Sequence, residues 1–303
     1  MKKIYTLLSL FVGLAFTLNA QYYQIPWPNI NANPGTANAD AEYPSGGGLP
    51  AGWTVALGPS ASSVWSANQS IPFSFQFNGS PVSSFKVSNS GVLTFDVTSS
   101  VAAPPFMQAA LPSAMIPNNS ICIWGMTGIG SNDNVITKTF GTAPNRQFWI
   151  QFNSYGYGGT TSDGNNFTYW SIVLEETTNR IHIVDGRTGG YAATVKVVSA
   201  GLQFTGSSAL MVATSPSLLS LAGSDPTPAD NSYYTFIPGS APNYDMMATS
   251  ITTPSFLAAG NANITGTLRN LGGQTITSMT INYKIDAGAV VSSSLTGLSI
   301  APL

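Results

Sequence analysis

A chain of 303 residues with 43% hydrophobic and 11% aromatic side chains can bury one large core or two ordinary ones, and so many aromatics exclude a disordered chain. Charged residues make up only 7%, against roughly 25% in average soluble proteins. Ser, Thr, Asn and Gly carry the solvation instead, and the 10 basic and 12 acidic residues (net −2) form no Lys/Arg cluster, which excludes a nucleic-acid footprint and any pull toward anionic membranes.

The N-terminus reads MKKIYTLLSLFVGLAFTLNAQYYQ. Lys2 and Lys3 are a basic n-region, Ile4 to Leu18 an apolar h-region, and Ala20 a small residue before Gln21. This is the pattern of a secretory signal peptide over residues 1–20, with cleavage expected after Ala20. The apolar run falls short of the roughly 20 residues that span a bilayer. No cysteine follows the cleavage site, so a lipid anchor is not expected. The mature chain keeps 8 of the 10 basic residues, and 8 − 12 leaves it near −4. The expected address is secreted, or the outer cell surface, with no transmembrane segment.

Residues 21–70 are rich in Pro, Gly, Asn and Ala with no helical period. They read as an extended N-terminal segment pinned by Trp27, Trp53 and Trp65. A β-sandwich domain is expected over 71–240. IPFSFQFNG alternates Phe73, Phe75 and Phe77 with polar residues, the period of a half-buried strand. SSFKVSNSGVLTFDV reads as two strands around a tight turn, and SICIWGMTG as a nearly continuous apolar strand. VITKTFG and RQFWIQFNS flank a TAPN turn; YWSIVLEET and RIHIVDG flank a second turn. VKVVSAGLQF, ALMVAT and YYTFIPG complete the set. Strands at 8–12-residue spacing with few, short helices indicate an all-β sandwich or barrel. IPGSAPNYD is a linker, and 241–303 holds four or five further strands, fewer than the seven of a complete immunoglobulin-like sandwich. The expectation is a second domain that stops before its sheet set is complete.

Chemistry-bearing residues are few. Cys122, the single cysteine, has no internal partner and suits a buried strand. His182, the single histidine, lies between two core-facing isoleucines and points away from the core. One His with carboxylates is a poor zinc set, and no G-x-S-x-G elbow accompanies it. Glu175 and Glu176, if both in regular strand, face opposite ways and cannot form a glycosidase pair. Asp133 and Asp163 stand alone among amides and miss the spaced acidic pattern of a calcium loop. Arg146 begins a strand after a turn, where a guanidinium braces turn carbonyls or a carboxylate. The expected metal and cofactor sets are therefore empty, and no catalytic residue is assigned. The binding candidates lie on the glycine-rich loop YGYGGTTSDGNN. Tyr155 and Tyr157 can stack on sugar rings, and Asp163, Asn165 and Asn166 can bond hydroxyls. The same residue types also suit a long solvated hairpin connection.

IPFSFQFNGSPVSSFKVSNSGVLTFD, TAPNRQFWIQFNSY and TYWSIVLEETTNRIHIVDG together resemble the nidogen-like β-sandwich of bacterial and extracellular surface proteins, over roughly 70–237. DMMATSI…NITGTLRNLGGQTITSMTINYKIDAG resembles the immunoglobulin-like, adhesion-type modules of Gram-negative proteins exported by the type IX route. The resemblance implies a nidogen-like sandwich followed by an incomplete immunoglobulin-like one, in a secreted or outer-surface, non-catalytic binding protein; the leader, the all-β pattern, the low charge and the missing catalytic set point to adhesion with a glycan or surface-protein partner. The alternative is the accessory front of a longer secreted enzyme or thioredoxin-like outer-membrane protein, with its chemistry beyond residue 303.

Overall fold

The computed structural model describes residues 22–28, 30–42, 49–158, 167–189, 196–220, 223, 227, 231–252, 263, 265–284 and 287–302. The chain divides into two compact units, residues 1–238 and 239–303. The described residues are almost wholly β, with one 3-10 turn at Pro34–Thr36.

Among the described residues of the first unit there are fifteen strands: β1 Tyr22–Trp27, β2 Thr54–Leu57, β3 Gln69–Phe77, β4 Ser80–Val87, β5 Val92–Thr94, β6 Ser120–Trp124, β7 Met126–Thr127, β8 Asn134–Phe140, β9 Gln147–Tyr157, β10 Phe167–Glu175, β11 Ile181–Gly189, β12 Val197–Thr205, β13 Ser208–Met211, β14 Leu218–Leu219 and β15 Ser232–Pro238. One sheet runs β1-β15-β11-β10-β9-β8-β2, with β7 beside β9. The other runs β13-β12-β6-β5-β4-β3, with β14 beside β12. Every pairing is antiparallel.

Alternation decides which face each residue takes. In β3, Ile71, Phe73, Phe75 and Phe77 are buried and the residues between them are exposed. Phe75 and Phe77 meet Phe95, Phe85 meets Phe148 edge-on, and Ile150, Ile172 and Ile183 close the same core from the first sheet. The central strands break the alternation, because β9 and β10 are buried on both faces.

Irregular segments cover the outer faces. Over the first sheet, residues 30–42 lie across a second apolar cluster of Trp53, Ile136, Phe140, Trp149, Val173 and Val184. Gln147 and Gln151 donate from that face to the carbonyls of Pro34 and Glu42, at 3.1 and 2.9 Å. Asn231 donates to Asn33 at 2.7 Å, and the Trp53 indole N–H to Asp40 at 2.9 Å. Over the second sheet, residues 99–117 cover Val92, Cys122 and Trp124. There the Trp124 indole N–H donates to the Pro105 carbonyl at 2.8 Å, and Gln203 Nε2 to the carbonyls of Ser113 and Ile116 at 3.0 and 2.7 Å. Each outer face thus meets its backbone with long amide side chains, which satisfy carbonyls that no ladder reaches.

Among the described residues of the second unit there are two antiparallel pairs: β16 Met246–Ile251 with β17 Gly266–Asn270, and β18 Ile276–Tyr283 with β19 Val291–Ile300. Asn270 Nδ2 joins them by donating to the Ile300 carbonyl at 2.9 Å. Ile276 and Asn270 are buried, while most of β18 and β19 is exposed.

Candidate functional site

Two turns and the N-terminal strap meet at one end of the first sheet. Gln147 opens β9, Glu175 closes β10, and the two are register partners. The β8–β9 turn supplies Asn145 and Arg146; the β10–β11 turn supplies Glu176 and Thr178. Arg146 ties the turns together: its Nη2 and Nε donate to Glu176 Oε1 and Oε2 at 2.6 and 2.8 Å, and its backbone N–H to Oε2 at 3.1 Å. The guanidinium also lies 5.3 Å from the Phe73 ring centre. Gly35 of the strap has φ +60°, and a Cβ there would sit 3.1 Å from Gln147 Nε2, so glycine lets the strap approach the amide. Gly35, Ala37, Asn145, Gln147, Glu175, Glu176 and Thr178 enclose a solvent-open cleft of about 220 Å³.

Glu175 is the charge at its centre. Oε1 accepts the Thr178 hydroxyl at 2.6 Å; Oε2 accepts from His182 Nε2 at 3.2 Å and Gln147 Nε2 at 3.4 Å. His182 Nδ1 faces the Thr235 hydroxyl at 2.9 Å. A carboxylate only accepts, so Nε2 carries the proton toward Glu175. Thr235, His182, Glu175 and Gln147 thus form one polar row across β15, β11, β10 and β9. Burial pushes the Glu175 pKa up, but the bonds from His182, Thr178 and Gln147 and the attraction of His182 outweigh it and bring it to about 2. Glu176 is also lowered, chiefly by its bonds from Arg146.

This arrangement is built for hydrogen bonding. Both carboxyls are lowered, chiefly by their hydrogen bonds, which favours their ionised, accepting form. The Thr–His–carboxylate order runs in the wrong direction for nucleophilic attack, because Thr235 is the buried end and the carboxylate opens on solvent. The cleft instead offers two ionised acceptors beside amides and a hydroxyl.

Glu175 and Glu176 line the same cleft, contrary to the opposite-face expectation. Glu175 is the last strand residue and Glu176 already lies in the turn, so strand alternation stops between them. His182 does face away from the core, as its neighbours Ile181 and Ile183 dictate. Arg146 braces a turn, as expected. Nothing in local spacing pointed to Gly35, Gln147, Thr178 or Thr235; they join the site through pairing and strap packing.

The loop candidates fall differently. Asp163, Asn165 and Asn166 lie outside the described residues. Tyr155 and Tyr157 are 0% and 5% exposed, so neither ring offers a face to a sugar. The reason is a bulge: Ser154 has φ +64° and the β9–β10 register slips there, which turns Tyr155 inward against Phe152. Burial, then the nearby Asp133 charge, holds the Tyr155 phenol well above the usual tyrosine range. Tyr157 accepts the Trp170 indole N–H at 3.3 Å, and burial pushes its pKa up to about 12. Beside it runs a hydroxyl chain: Thr168 meets Thr188 at 2.8 Å, Thr188 meets Ser220 at 2.8 Å, and Ser220 donates to buried Asp185 at 2.6 Å. Asp133 is buried, and its Oδ2 accepts the Gly130 N–H at 2.7 Å to close a local turn. Among the described residues no group of three or more His, Cys, Asp or Glu converges as metal ligands.

A family model described as NIDO related matches residues 48–238, more than half of the chain. The chain belongs to the NIDO-related family. No curated protein and no solved structure matches it. The NIDO-related region takes in β2 to β15, hence the second sheet, the first sheet except β1, and most of the cleft. Gly35 and Ala37 reach the cleft from the strap that precedes it. Among the described residues no helix is long and apolar enough to cross a membrane.

Proposed function

We propose that this NIDO-related protein is an exported, non-enzymatic binding protein of the outer cell surface or extracellular space, and that its ligand is a glycan or a surface protein. The cleft at Glu175 carries the reading: two carboxyls held ionised, amides of Asn145 and Gln147, and the Thr178 hydroxyl, gathered where two strand ends and two turns meet. Such a set exchanges hydrogen bonds with hydroxyl or amide groups without a proton to transfer. The NIDO-related region suits an extracellular binding module, and the N-terminal leader pattern suits export. The likeness of DMMATSI…NYKIDAG to type IX adhesion-type modules supports an immunoglobulin-like second unit and that export route. The test is a screen of the mature chain, residues 21–303, against a glycan array and a panel of purified extracellular glycoproteins. Selective, saturable binding to one ligand class is expected; a folded protein that leaves every class blank would refute the reading.

A further inference from the structure

We infer that the cleft at Glu175 takes the ammonium group of a lysine side chain presented by an extracellular partner protein. This rests on the binding reading above and names the ligand class of that same site. The cleft, at about 220 Å³, lies below the roughly 300–1,000 Å³ of small-molecule pockets, so it admits one side chain rather than an oligosaccharide. Among the described residues no aromatic ring lines it, and a sugar ring finds no face to stack on. Its two apolar lining residues, Gly35 and Ala37, are small and suit the aliphatic stem of a long side chain.

The acceptors that remain open decide which cation fits. Glu176 is occupied by Arg146, whose Nε, Nη2 and backbone N–H reach its two oxygens at 2.8, 2.6 and 3.1 Å. Glu175 Oε2 is occupied by His182 and Gln147 at 3.2 and 3.4 Å, while Oε1 accepts the Thr178 hydroxyl at 2.6 Å. A carboxylate oxygen has two lone pairs, so Oε1 keeps one for a ligand. The Thr178 oxygen accepts the Arg180 backbone N–H at 3.3 Å and keeps one as well. Neither carboxylate therefore offers both oxygens side by side, which the fork of a guanidinium needs. An ammonium is a point charge with three donors, matched to separate single acceptors: Glu175 Oε1, the Thr178 oxygen and the Asn145 amide oxygen. One cation already stands near Oε1. Arg180 Nη1 lies 3.9 Å away, too far for a hydrogen bond and on a half-exposed side chain. An entering ammonium replaces that distant, screened charge with a direct contact.

The experiment is an NMR titration of the mature chain, residues 21–303, at neutral pH and low salt with an end-blocked Gly-Gly-Lys-Gly-Gly peptide. Peptides with Nε-acetyl-lysine or arginine in place of the lysine, and free glucosamine, run in parallel. The lysine peptide should shift the Asn145 and Thr178 signals, bind about tenfold or more tightly than the acetyl-lysine peptide, and weaken as salt is added. Glu175→Gln should lower its affinity about tenfold. Arg180→Gln, at an exposed side chain that the fold does not depend on, should raise it about twofold by removing the competing charge. Equal binding of the lysine and acetyl-lysine peptides would overturn the inference, as would tighter binding of the arginine peptide or of glucosamine, or unchanged affinity in every variant that folds. A glycan or glycoprotein that binds the cleft without competition from the lysine peptide overturns the ligand class alone and leaves the binding reading standing. Blank results with these probes and with every screened ligand refute both.

Discussion

Glu175 shows how a single side chain couples the cleft to the stability of the sheet. Its pKa falls from the ordinary 4.5 to about 2. A carboxyl depressed on folding stabilises the native state above its unfolded pKa and loses that contribution as pH drops through the folded value. The window is therefore pH 4.5 down to 2, and the shift sets an upper limit of about 3 kcal/mol. Urea unfolding across that window should show wild type losing stability with acid, while Glu175→Gln starts lower and changes less. Equal slopes for both would remove Glu175 as the source. Its neighbourhood was only half legible in the sequence. His182 could be oriented from Ile181 and Ile183, because alternation is local. That Glu176 turns back beside Glu175 depends on where β10 ends, and that Tyr155 turns inward depends on a left-handed Ser154; neither leaves a mark in residue types.

Among the elements, the turn between β4 and β5 is the one whose sequence and structure agree most closely. SNSG was legible as a tight turn, and Gly91 closes it with φ +91°. A Cβ on Gly91 would lie 2.0 Å from the Ile123 carbonyl oxygen, which is backbone and has nowhere to move. The same approach gives the Ile123 N–H its bond to the Gly91 carbonyl at 2.7 Å. Gly91→Ala combines positive-φ strain with a backbone clash, so it should cost roughly 3 kcal/mol or more. Thermal melts check this, and a melting temperature within a degree of wild type would contradict it. Strands with strict alternation, such as β3, were readable in the same way. β1 and β2 were not, because Pro, Gly and Asn surround them and their partners, β15 and β8, lie far along the chain.

At the scale of the molecule, the low charge becomes intelligible. Sheets buried on both faces have little room for charged side chains, and the irregular segments 30–42 and 99–117 cover outer faces that would otherwise be wet. The all-β class followed from periodicity and turn residues. The straps did not, since their contacts run through single long-range bonds such as Gln147 to Pro34 and Gln203 to Ile116. One of those straps completes the cleft, so the site exists only in the folded whole. The most direct test of the binding account compares affinities for the ligand class that the screen selects, among wild type, the cleft double variant Asn145→Ala/Thr178→Ala, and Ser207→Ala on the exposed β12–β13 turn of the other sheet. Losing two ligand hydrogen bonds should weaken the cleft variant by about tenfold or more and leave Ser207→Ala unchanged. Equal affinity in all three folded proteins would show that the ligand binds elsewhere and would contradict the account.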